Sequence, residues 1–244
     1  MSEINREKRL AAQRSLEYVR DGMCLGLGSG STAAIMLELL GQRVRQGLRV
    51  RGVPTSETSR QLAQREGIPI VSFDEVSLLD LTIDGADEVD PQLNLIKGGG
   101  GALLREKIVA SFSRCVVIIA DAHKQVPQLG AFPLPVEAVR FAWKPLAQRL
   151  GELGASPALR SGVDGRPFVT DEGNHILDCA FGRIEDPAAL AARLDAMPGV
   201  VGHGLFVGMA DTVIFGRGEE TLVIDRATYV SGSQGTDQCL PQDR

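Results

Sequence analysis

The chain has 244 residues, of which 43% are apolar, and a formal net charge of −5 at pH 7 with a pI near 5.3. This length allows one large or two small domains with a hydrophobic core, and the apolar fraction excludes a disordered chain. The acidic balance argues against a nucleic-acid-binding protein, which usually has a basic surface. No apolar run approaches the roughly 20 residues that cross a bilayer, and residues 1–20 lack the apolar stretch of a signal peptide, so we predict a cytoplasmic protein without membrane contact.

Short apolar runs alternate with amphipathic stretches in the first half of the chain. Such alternation predicts an α/β fold with a mostly parallel sheet and helices on both faces, Rossmann-like in architecture. Gly41 is predicted to end the second helix. The predicted strands are 23–27, 48–53, 68–71, 79–83, 94–97 and 115–120, and the predicted helices are 3–20, 32–40, 57–66 and 102–113.

The pattern changes near residue 130, where the Pro-rich segment 132–136 interrupts the helical rhythm. A helix is predicted at 145–153, two strands surround the turn at 171–174, and a last helix ends at 197 with Asp186 as N-cap and Pro187 at its first position. Three later strands (205–207, 212–215 and 221–224) are predicted to return to the first domain. The predicted division is 1–129 with 207–230 for the α/β domain, 130–206 for a smaller inserted α+β domain, and 231–244 for a mobile polar tail.

A glycine-rich turn follows the first predicted strand, with the sequence Gly-Leu-Gly-Ser-Gly-Ser-Thr over residues 26–32. A strand, a turn of this kind and a helix together present main-chain N–H groups to an anion at the helix N-terminus. The turn lacks the Walker A lysine after Gly30, and Ser31 stands where the dinucleotide fingerprint needs its third glycine. The remaining hydroxyl groups suit a phosphate or a polyol, and a tight turn that caps the helix is the alternative.

Four carboxylates follow the predicted strand 79–83, within Asp-Gly-Ala-Asp-Glu-Val-Asp over residues 84–90. Because α/β proteins bind ligands beyond the carboxyl ends of their strands, this acidic loop predicts a ligand site. Binding of Mg²⁺ by Asp84 and Asp87 is an alternative, whereas the EF-hand pattern is absent. The four cysteines are scattered and show no spacing typical of a metal site.

A run of four glycines, residues 98–101, lies between Lys97 and a predicted helix that contains Glu106. Glycines in a row cost backbone entropy, so we expect the main chain to approach a ligand closely here. Lys97 would then stabilise a developing oxyanion, and Glu106 would act as a general base. The alternatives are a solvated surface lysine and an acid that interacts with the helix dipole. Lys124, after the strand 115–120, would bind a phosphate as a point charge.

Taken together and in order, these segments resemble the ribose-5-phosphate isomerase A family. The resemblance covers about residues 4–225 and is specific, because many motifs occur in the same order. The matching segments are 26–33, 84–88, 97–107, 120–124, 132–136, 173–178 and 198–206.

The resemblance implies an aldose–ketose isomerase that interconverts D-ribose 5-phosphate and D-ribulose 5-phosphate through an enediolate, in the non-oxidative pentose phosphate pathway. It also implies a homodimer with no required cofactor. We expect no bound metal, and the acidic balance predicts no nucleic-acid partner. Ser29 stands where the family often has threonine, which preserves a hydroxyl group. The residues implied in catalysis are Glu106, Asp84, Asp87 and Lys97, and those implied in substrate binding are Ser29, Gly30, Ser31, Thr32, Gly85, Ala86, Gly98, Gly99, Gly100, Lys124 and Lys8.

Three other functions were weighed against this interpretation. An amino-sugar-phosphate deaminase would use a related sheet, but the segment 97–107 is unlike that class. A sugar-phosphate sensor of a transcription regulator would be preceded by a helix-turn-helix segment, which we do not find. A CoA transferase usually has a longer chain. Similarity of fold alone would not separate these functions, whereas the sequence around Glu106 does.

Overall fold

The computed structural model describes residues 2–226, and these form two compact units. Unit 1 comprises the described parts of Met1–Ala86, Arg105–Gln125 and Gly208–Arg244, and unit 2 comprises Asp87–Leu104 and Val126–Val207. The sequence prediction placed 87–104 in the α/β domain, whereas the structure groups this segment with unit 2. The predicted mobile tail, 231–244, lies outside the described residues. No helix within residues 2–226 combines the length and the apolar character needed to span a membrane.

Local capping signals explain where several of the six helices in the described residues begin. The side chain of Ser56 accepts a hydrogen bond from the Ser59 N–H at 3.0 Å, and that of Asp186 accepts one from the Ala189 N–H at 2.9 Å. Gly41 does not end the second helix as predicted but lies within it. The helices are α1 (Glu3–Ser15), α2 (Ser31–Arg45), α3 (Glu57–Arg65), α4 (Leu103–Ser111), α5 (Trp143–Glu152) and α6 (Pro187–Asp195).

The strands are mostly shorter than predicted, and one predicted strand is absent. The predicted strand 68–71 forms only an isolated bridge between Ile70 and Gly52. The two strands predicted around the turn at 171–174 are present as Ser156–Leu159 and His175–Ala180, which pair antiparallel, and a further bridge joins Ser161 and Pro167. The strands are β1 (Cys24–Leu27), β2 (Arg51–Pro54), β3 (Leu81–Asp84), β4 (Glu88–Val89), β5 (Leu95–Ile96), β6 (Val116–Asp121), β7 (Leu134–Ala138), β8 (Ser156–Leu159), β9 (His175–Ala180), β10 (Val200–His203), β11 (Leu205–Phe206), β12 (Thr212–Arg217) and β13 (Glu220–Asp225).

Unit 1 contains a six-stranded sheet in the order β13-β12-β6-β3-β1-β2, in which β13 alone is antiparallel to its neighbour. Leu25 and Leu27 pack in a core with α1 and α2, whereas Gly26 faces the other side, where a Cβ atom would lie 2.5 Å from Val109 of α4. Because alternate residues of a strand face opposite sides, helices cover both faces of this sheet. The α/β fold predicted from the sequence is confirmed.

The order of the strands determines where the loops of unit 1 meet. β3 lies between β1 and β6, and all three strands are parallel. Their carboxyl ends therefore share one edge of the sheet, which is where ligand sites of such sheets occur. The loops at this edge contain the glycine-rich turn after β1, Asp84 at the end of β3 and Lys124 after β6.

Unit 2 contains a four-stranded antiparallel sheet in the order β10-β7-β9-β8, together with α5 and α6. Its core includes Leu146 and Leu150 of α5 and Leu194 of α6. A second, three-stranded sheet has the order β11-β5-β4. β11 was predicted to return to the α/β domain, but it pairs with β5 instead, and this pairing explains why the segment 87–104 belongs to unit 2.

Candidate active site

The glycine-rich turn of unit 1 is wrapped around the carboxylate of Asp84. Oδ1 of Asp84 accepts hydrogen bonds from the N–H groups of Ser29, at 2.9 Å, and Gly85, at 2.7 Å. A Cβ atom at Gly28 would lie 2.3 Å from the same oxygen, so only glycine fits there. Gly30 has a φ of +91° and is the N-cap of α2. Asp84 is 2% exposed. Its carboxylate thus links the glycine-rich turn to the end of β3.

The hydroxyl group of Ser29 belongs to a cluster that the sequence analysis missed. Its Oγ lies 2.5 Å from Oγ1 of Thr55 and 3.3 Å from Oγ of Ser59. Ser59 also donates to the main-chain oxygen of Gly28 at 2.8 Å. Thr55 directly follows β2, the neighbour of β1. The signal that could have found it was its place after a parallel strand, at the same edge as the glycine-rich turn.

Two lysines of unit 1 lie near helix or turn ends that suit an anion. Nζ of Lys8, on α1, donates a hydrogen bond to Oγ of Ser31 at 2.9 Å, at the first residue of α2. Thr32 follows Ser31 and is 7% exposed. Lys124 closes the 3₁₀ turn after β6, and within residues 2–226 its ammonium group has no ion pair. These residues provide the cations, the hydroxyl groups and the helix N-terminus that phosphate binding uses.

Glu106 lies in the first turn of α4 and is only 5% exposed. Its place in the first turn also fits the alternative, an acid that interacts with the helix dipole. Its low exposure separates the carboxylate from most of the bulk water. Gly85 and Ala86, which follow Asp84, complete the predicted site residues of unit 1.

Asp87, Lys97 and the glycine run belong to unit 2. Lys97 is 3% exposed, so the alternative of a solvated surface lysine is wrong. Its Nζ lies 5.4 Å from the centre of the Phe206 ring, a distance at which a cation and an aromatic face attract each other. Its N–H donates to the main-chain oxygen of Gly204 at 2.9 Å, which fixes the start of the glycine run.

The glycine run approaches the protein's own side chains closely. The N–H of Gly99 donates to Oδ2 of Asp87 at 2.8 Å, and a Cβ atom at Gly99 would lie 2.7 Å from Oδ1 of the same carboxylate. Gly98 and Gly101 have φ values of +96° and +87°, which side chains disfavour. At Gly100, by contrast, a Cβ atom would meet nothing within 4 Å.

The other two carboxylates of the acidic loop have structural roles in unit 2. Glu88 is 3% exposed and accepts hydrogen bonds from the N–H groups of Gly130, at 2.7 Å, and Phe132, at 2.6 Å. Asp90 accepts two from Asn94, one from its N–H and one from its side chain. Two carboxylates of the acidic loop therefore have structural partners within unit 2, and the site roles of Asp84 and Asp87 stay predictions.

Three side chains of unit 1 that could hold a metal ion lie close together. Among residues 2–226, one group of potential ligands has its atoms within 4.8 Å of one another: Glu7, Asp121 and His123. Neither Asp84 nor Asp87 belongs to this group. Glu7 accepts hydrogen bonds from two main-chain N–H groups and Asp121 accepts one from that of His123, so these buried acids already have structural partners.

Comparisons with known sequences agree with the family resemblance seen in the motifs. Residues 51–220 match the family model described as ribose 5-phosphate isomerase A (phosphoriboisomerase A). A Bradyrhizobium diazoefficiens protein named ribose-5-phosphate isomerase A is 53% identical over 229 residues, which covers 90% of this chain and 95% of the relative. A protein of the same name from Methylorubrum extorquens is 54% identical over 224 residues, with 89% and 95% covered.

Solved structures lead to the same family. A D-ribose-5-phosphate isomerase in complex with phospho-erythronic acid has a TM-score of 0.90 and 40% identity, and the match covers 93% of this chain and 100% of the other. Ribose 5-phosphate isomerase from Plasmodium falciparum has a TM-score of 0.87 and 35% identity, with 91% and 99% covered. The family match spans more than half of the chain, and the chain therefore belongs to the ribose-5-phosphate isomerase A family.

Proposed function

We propose that this member of the family interconverts D-ribose 5-phosphate and D-ribulose 5-phosphate, with Glu106 as the general base. One observation carries the proposal: the matched region, residues 51–220, contains Asp84, Lys97 and Glu106, and all three are at most 5% exposed. Charged side chains are almost never so deeply buried unless they are paired, and here three of them, two acids and a lysine, occur within the region that matches the family. The reaction belongs to the non-oxidative pentose phosphate pathway.

Isomerisation of an aldose to a ketose moves one proton between neighbouring carbons. A base removes the proton from C2, an enediolate forms, and the same base returns the proton to C1. A carboxylate near both carbons can perform both transfers, and positioned acid–base catalysis of this kind contributes about 10²–10⁴-fold. Glu106 takes this role because its carboxylate is shielded from water at the start of α4.

The enediolate needs groups that stabilise negative charge on its oxygens. Lys97 supplies a buried cation, and the glycine run supplies main-chain N–H groups whose orientation is set before the reaction. Asp84 or Asp87 assists opening of the sugar ring and exchange of the proton between O1 and O2. The mechanism uses no cofactor and no metal.

The phosphate of the substrate binds to Lys8, Ser31, Thr32 and Lys124 in this proposal. The helix N-terminus of α2 and the Lys8–Ser31 hydrogen bond support it. Phospho-erythronic acid, the ligand of the related solved structure, combines a phosphate with a carboxylate, whose negative charge is similar to that of an enediolate. We expect it to inhibit this chain by competing with ribose 5-phosphate.

The decisive experiment measures formation of ribulose 5-phosphate from ribose 5-phosphate by the purified protein in EDTA. Glu106→Gln is expected to lose about 10²–10⁴-fold in kcat while it still binds the sugar phosphate. Glu38→Gln, at an exposed position of α2, is the matched control and should keep full activity. A wild-type protein that binds the sugar phosphate without converting it would favour the sensor function, and activity that returns only with Mg²⁺ would favour the metal alternative.

We also propose that the chain forms a homodimer. Phe73, Leu78, Ile108 and Phe112 of unit 1 are each 37–49% exposed, and the Phe73 and Phe112 rings are 5.5 Å apart. An exposed apolar patch of this kind is typical of a protein–protein interface. Light scattering tests the proposal, because Phe112→Glu should lower the measured mass to that of one chain. The cytoplasmic location stays a prediction, which cell fractionation would test.

A further inference from the structure

The side chain of Arg160 holds the glycine run of unit 2 on one side. Its Nη1 donates hydrogen bonds to the main-chain oxygens of Gly98, at 2.9 Å, and Gly99, at 3.1 Å. Both carbonyl groups therefore point towards the same nitrogen. The oxygen of Gly98 also accepts a hydrogen bond from the Gly101 N–H at 3.0 Å, so Arg160 shares the first peptide plane with this turn and is the partner that adds the second.

This orientation determines where the N–H groups of the run point. In a trans peptide the C=O of one residue and the N–H of the next point in opposite directions, and the described chain has no cis peptide. The N–H groups of Gly99 and Gly100 therefore point away from Arg160. The Gly99 N–H donates to Asp87, as this geometry requires. The Gly100 N–H is directed towards the same side, at an exposed residue around which a Cβ atom would find open space.

Arg160 is itself held in place. Its Nε donates to Oδ2 of Asp178 at 2.9 Å, and its Nη2 forms an ion pair with Oδ1, so the pair is bidentate. The Phe168 ring lies 5.9 Å from the guanidinium carbon, and the same ring would be 2.5 Å from a Cβ atom at Gly101. The side chain of Arg160 is 13% exposed. A planar guanidinium can bond to a carboxylate and to main-chain oxygens at once, whereas an ammonium group lacks this fixed geometry.

We infer that Arg160 is a positioning residue for the isomerisation. It keeps the Gly99 N–H on Asp87 and leaves the Gly100 N–H directed at the enediolate oxygen. The identity of that oxygen rests on the proposed function. Donors that are oriented in advance stabilise a developing charge without reorganising during the reaction, and removal of one such donor typically costs about 10²–10³-fold in kcat. Arg160 makes no contact with the substrate in this account and acts through the main chain alone.

The kinetic test compares Arg160→Lys with Arg166→Lys. The lysine at 160 keeps a positive charge beside Asp178 but cannot span two carbonyl groups, and Arg166 is 86% exposed on the same connection between β8 and β9. We expect kcat of Arg160→Lys to fall about 10²-fold, with KM within about threefold of wild type, because the lost interaction belongs to the transition state. The affinity for phospho-erythronic acid should fall as well, and Arg166→Lys should match wild type. An unchanged kcat, or a change in KM alone, would overturn the inference.

Hydrogen exchange of the peptide covering 97–102, followed by mass spectrometry, tests the loop independently of activity. Exchange should be faster in Arg160→Lys and unchanged in Arg166→Lys, because one variant releases the carbonyl groups and the other does not. Equal exchange in all three proteins would overturn the inference even if the enzyme is active. If the wild-type protein proves inactive, the proposed function fails, and exchange alone then decides whether Arg160 orients the loop.

Discussion

The two units hold a buried or half-buried aspartate in different ways, although Asp84 and Asp87 are close in sequence. Asp84 ends a strand, and the main-chain N–H group of Ser29 reaches it from the loop after the neighbouring strand. Asp87 accepts a hydrogen bond from the Gly99 N–H, and the carbonyl oxygen of the same peptide, that of Gly98, accepts hydrogen bonds from Arg160 and from the Gly101 N–H. Strand pairing thus sets the first arrangement, whereas a turn within the glycine run and the side chain of Arg160 set the second.

This difference has a practical consequence for the effect of mutations. The conformation of a loop at the edge of a parallel sheet is set by the strands on either side. A new side chain that does not fit between these strands therefore displaces the loop. A glycine run has little stiffness of its own, so it depends on the partners that fix its peptides. Substitutions in the glycine-rich turn of unit 1 should therefore act through steric conflict, and substitutions of the side chains that hold the glycine run should act through lost hydrogen bonds.

The largest effect is expected from Gly28→Ala. Its Cβ atom would lie 2.3 Å from Oδ1 of Asp84 and 2.5 Å from the main chain of Ile83 and Asp84, so the loop must move. We expect a loss of about 1–3 kcal/mol in the free energy of unfolding, as for other overpacked sites, and a loss of most activity. Urea denaturation and the isomerase assay measure the two effects.

Gly151→Ala is the matched control for this substitution. Gly151 lies within α5 of unit 2, and a Cβ atom there would meet nothing within 4 Å. Replacing a helical glycine by alanine should stabilise the protein by roughly 0.5–1 kcal/mol and leave activity unchanged. A wild-type activity in Gly28→Ala would show that strand pairing does not constrain the Asp84 loop as we describe.

A smaller effect is expected from Lys124→Ala. If the ammonium group binds phosphate in the ground state and the transition state alike, KM should rise about tenfold and kcat should stay near its wild-type value. Steady-state kinetics at several substrate concentrations separate the two constants. Lys144→Ala, in unit 2, is the control because Lys144 contacts Trp143 and no predicted site residue. A fall in kcat without a change in KM would contradict the role of Lys124.

The smallest effect concerns a buried acid in unit 2, Glu137. Burial raises the pKa of its carboxyl group, and hydrogen bonds from Asn174 and Thr170 offset this only in part. The glutamate carboxyl group has a pKa of about 4.3 in the unfolded chain. Because its pKa is higher in the folded state, protonation stabilises the fold at pH values below about 4.3. This stabilisation is lost as the pH rises through the pKa of the folded state. Glu137→Gln keeps an oxygen for both donors and removes the charge, so it should become more stable than wild type as the pH increases.

Urea denaturation at pH 4, 6 and 8 measures this trend. The difference between Glu137→Gln and wild type should be smallest at pH 4. Glu152→Gln, at an exposed position near the end of α5, should show no such trend. A stability difference that does not grow with pH would contradict the burial cost assigned to Glu137.

Much of the fold was predictable because its signals are local. The N-cap Asp186 with Pro187 after it placed α6, and the alternation of apolar runs with helices predicted the mostly parallel sheet. The prediction that Gly41 ends α2 was wrong, because glycine is required at this position by a tertiary contact. A Cβ atom there would lie 2.6 Å from the side chain of Glu66. A glycine that ends a helix and a glycine that allows close packing within a helix cannot be told apart from the local sequence.

The division of roles in the acidic loop was not predictable from the sequence. Four carboxylates in seven residues indicate a site, but nothing local separates Glu88 and Asp90 from the two acids of the candidate site. Glu88 accepts its hydrogen bonds from residues more than 40 positions away, so only the fold could assign it a structural role. The contributions of Thr55 and Arg160 are of the same kind.

The sequence by itself determined the family, the α/β architecture and the residue types of the candidate site, because motifs, helix caps and apolar periodicity act over a few neighbouring residues. Tertiary structure alone decided which glycines are required by close contacts, that Lys97 is buried, and which side chain orients the glycine run. These properties depend on segments that are distant in sequence and meet only when strands pair and side chains pack.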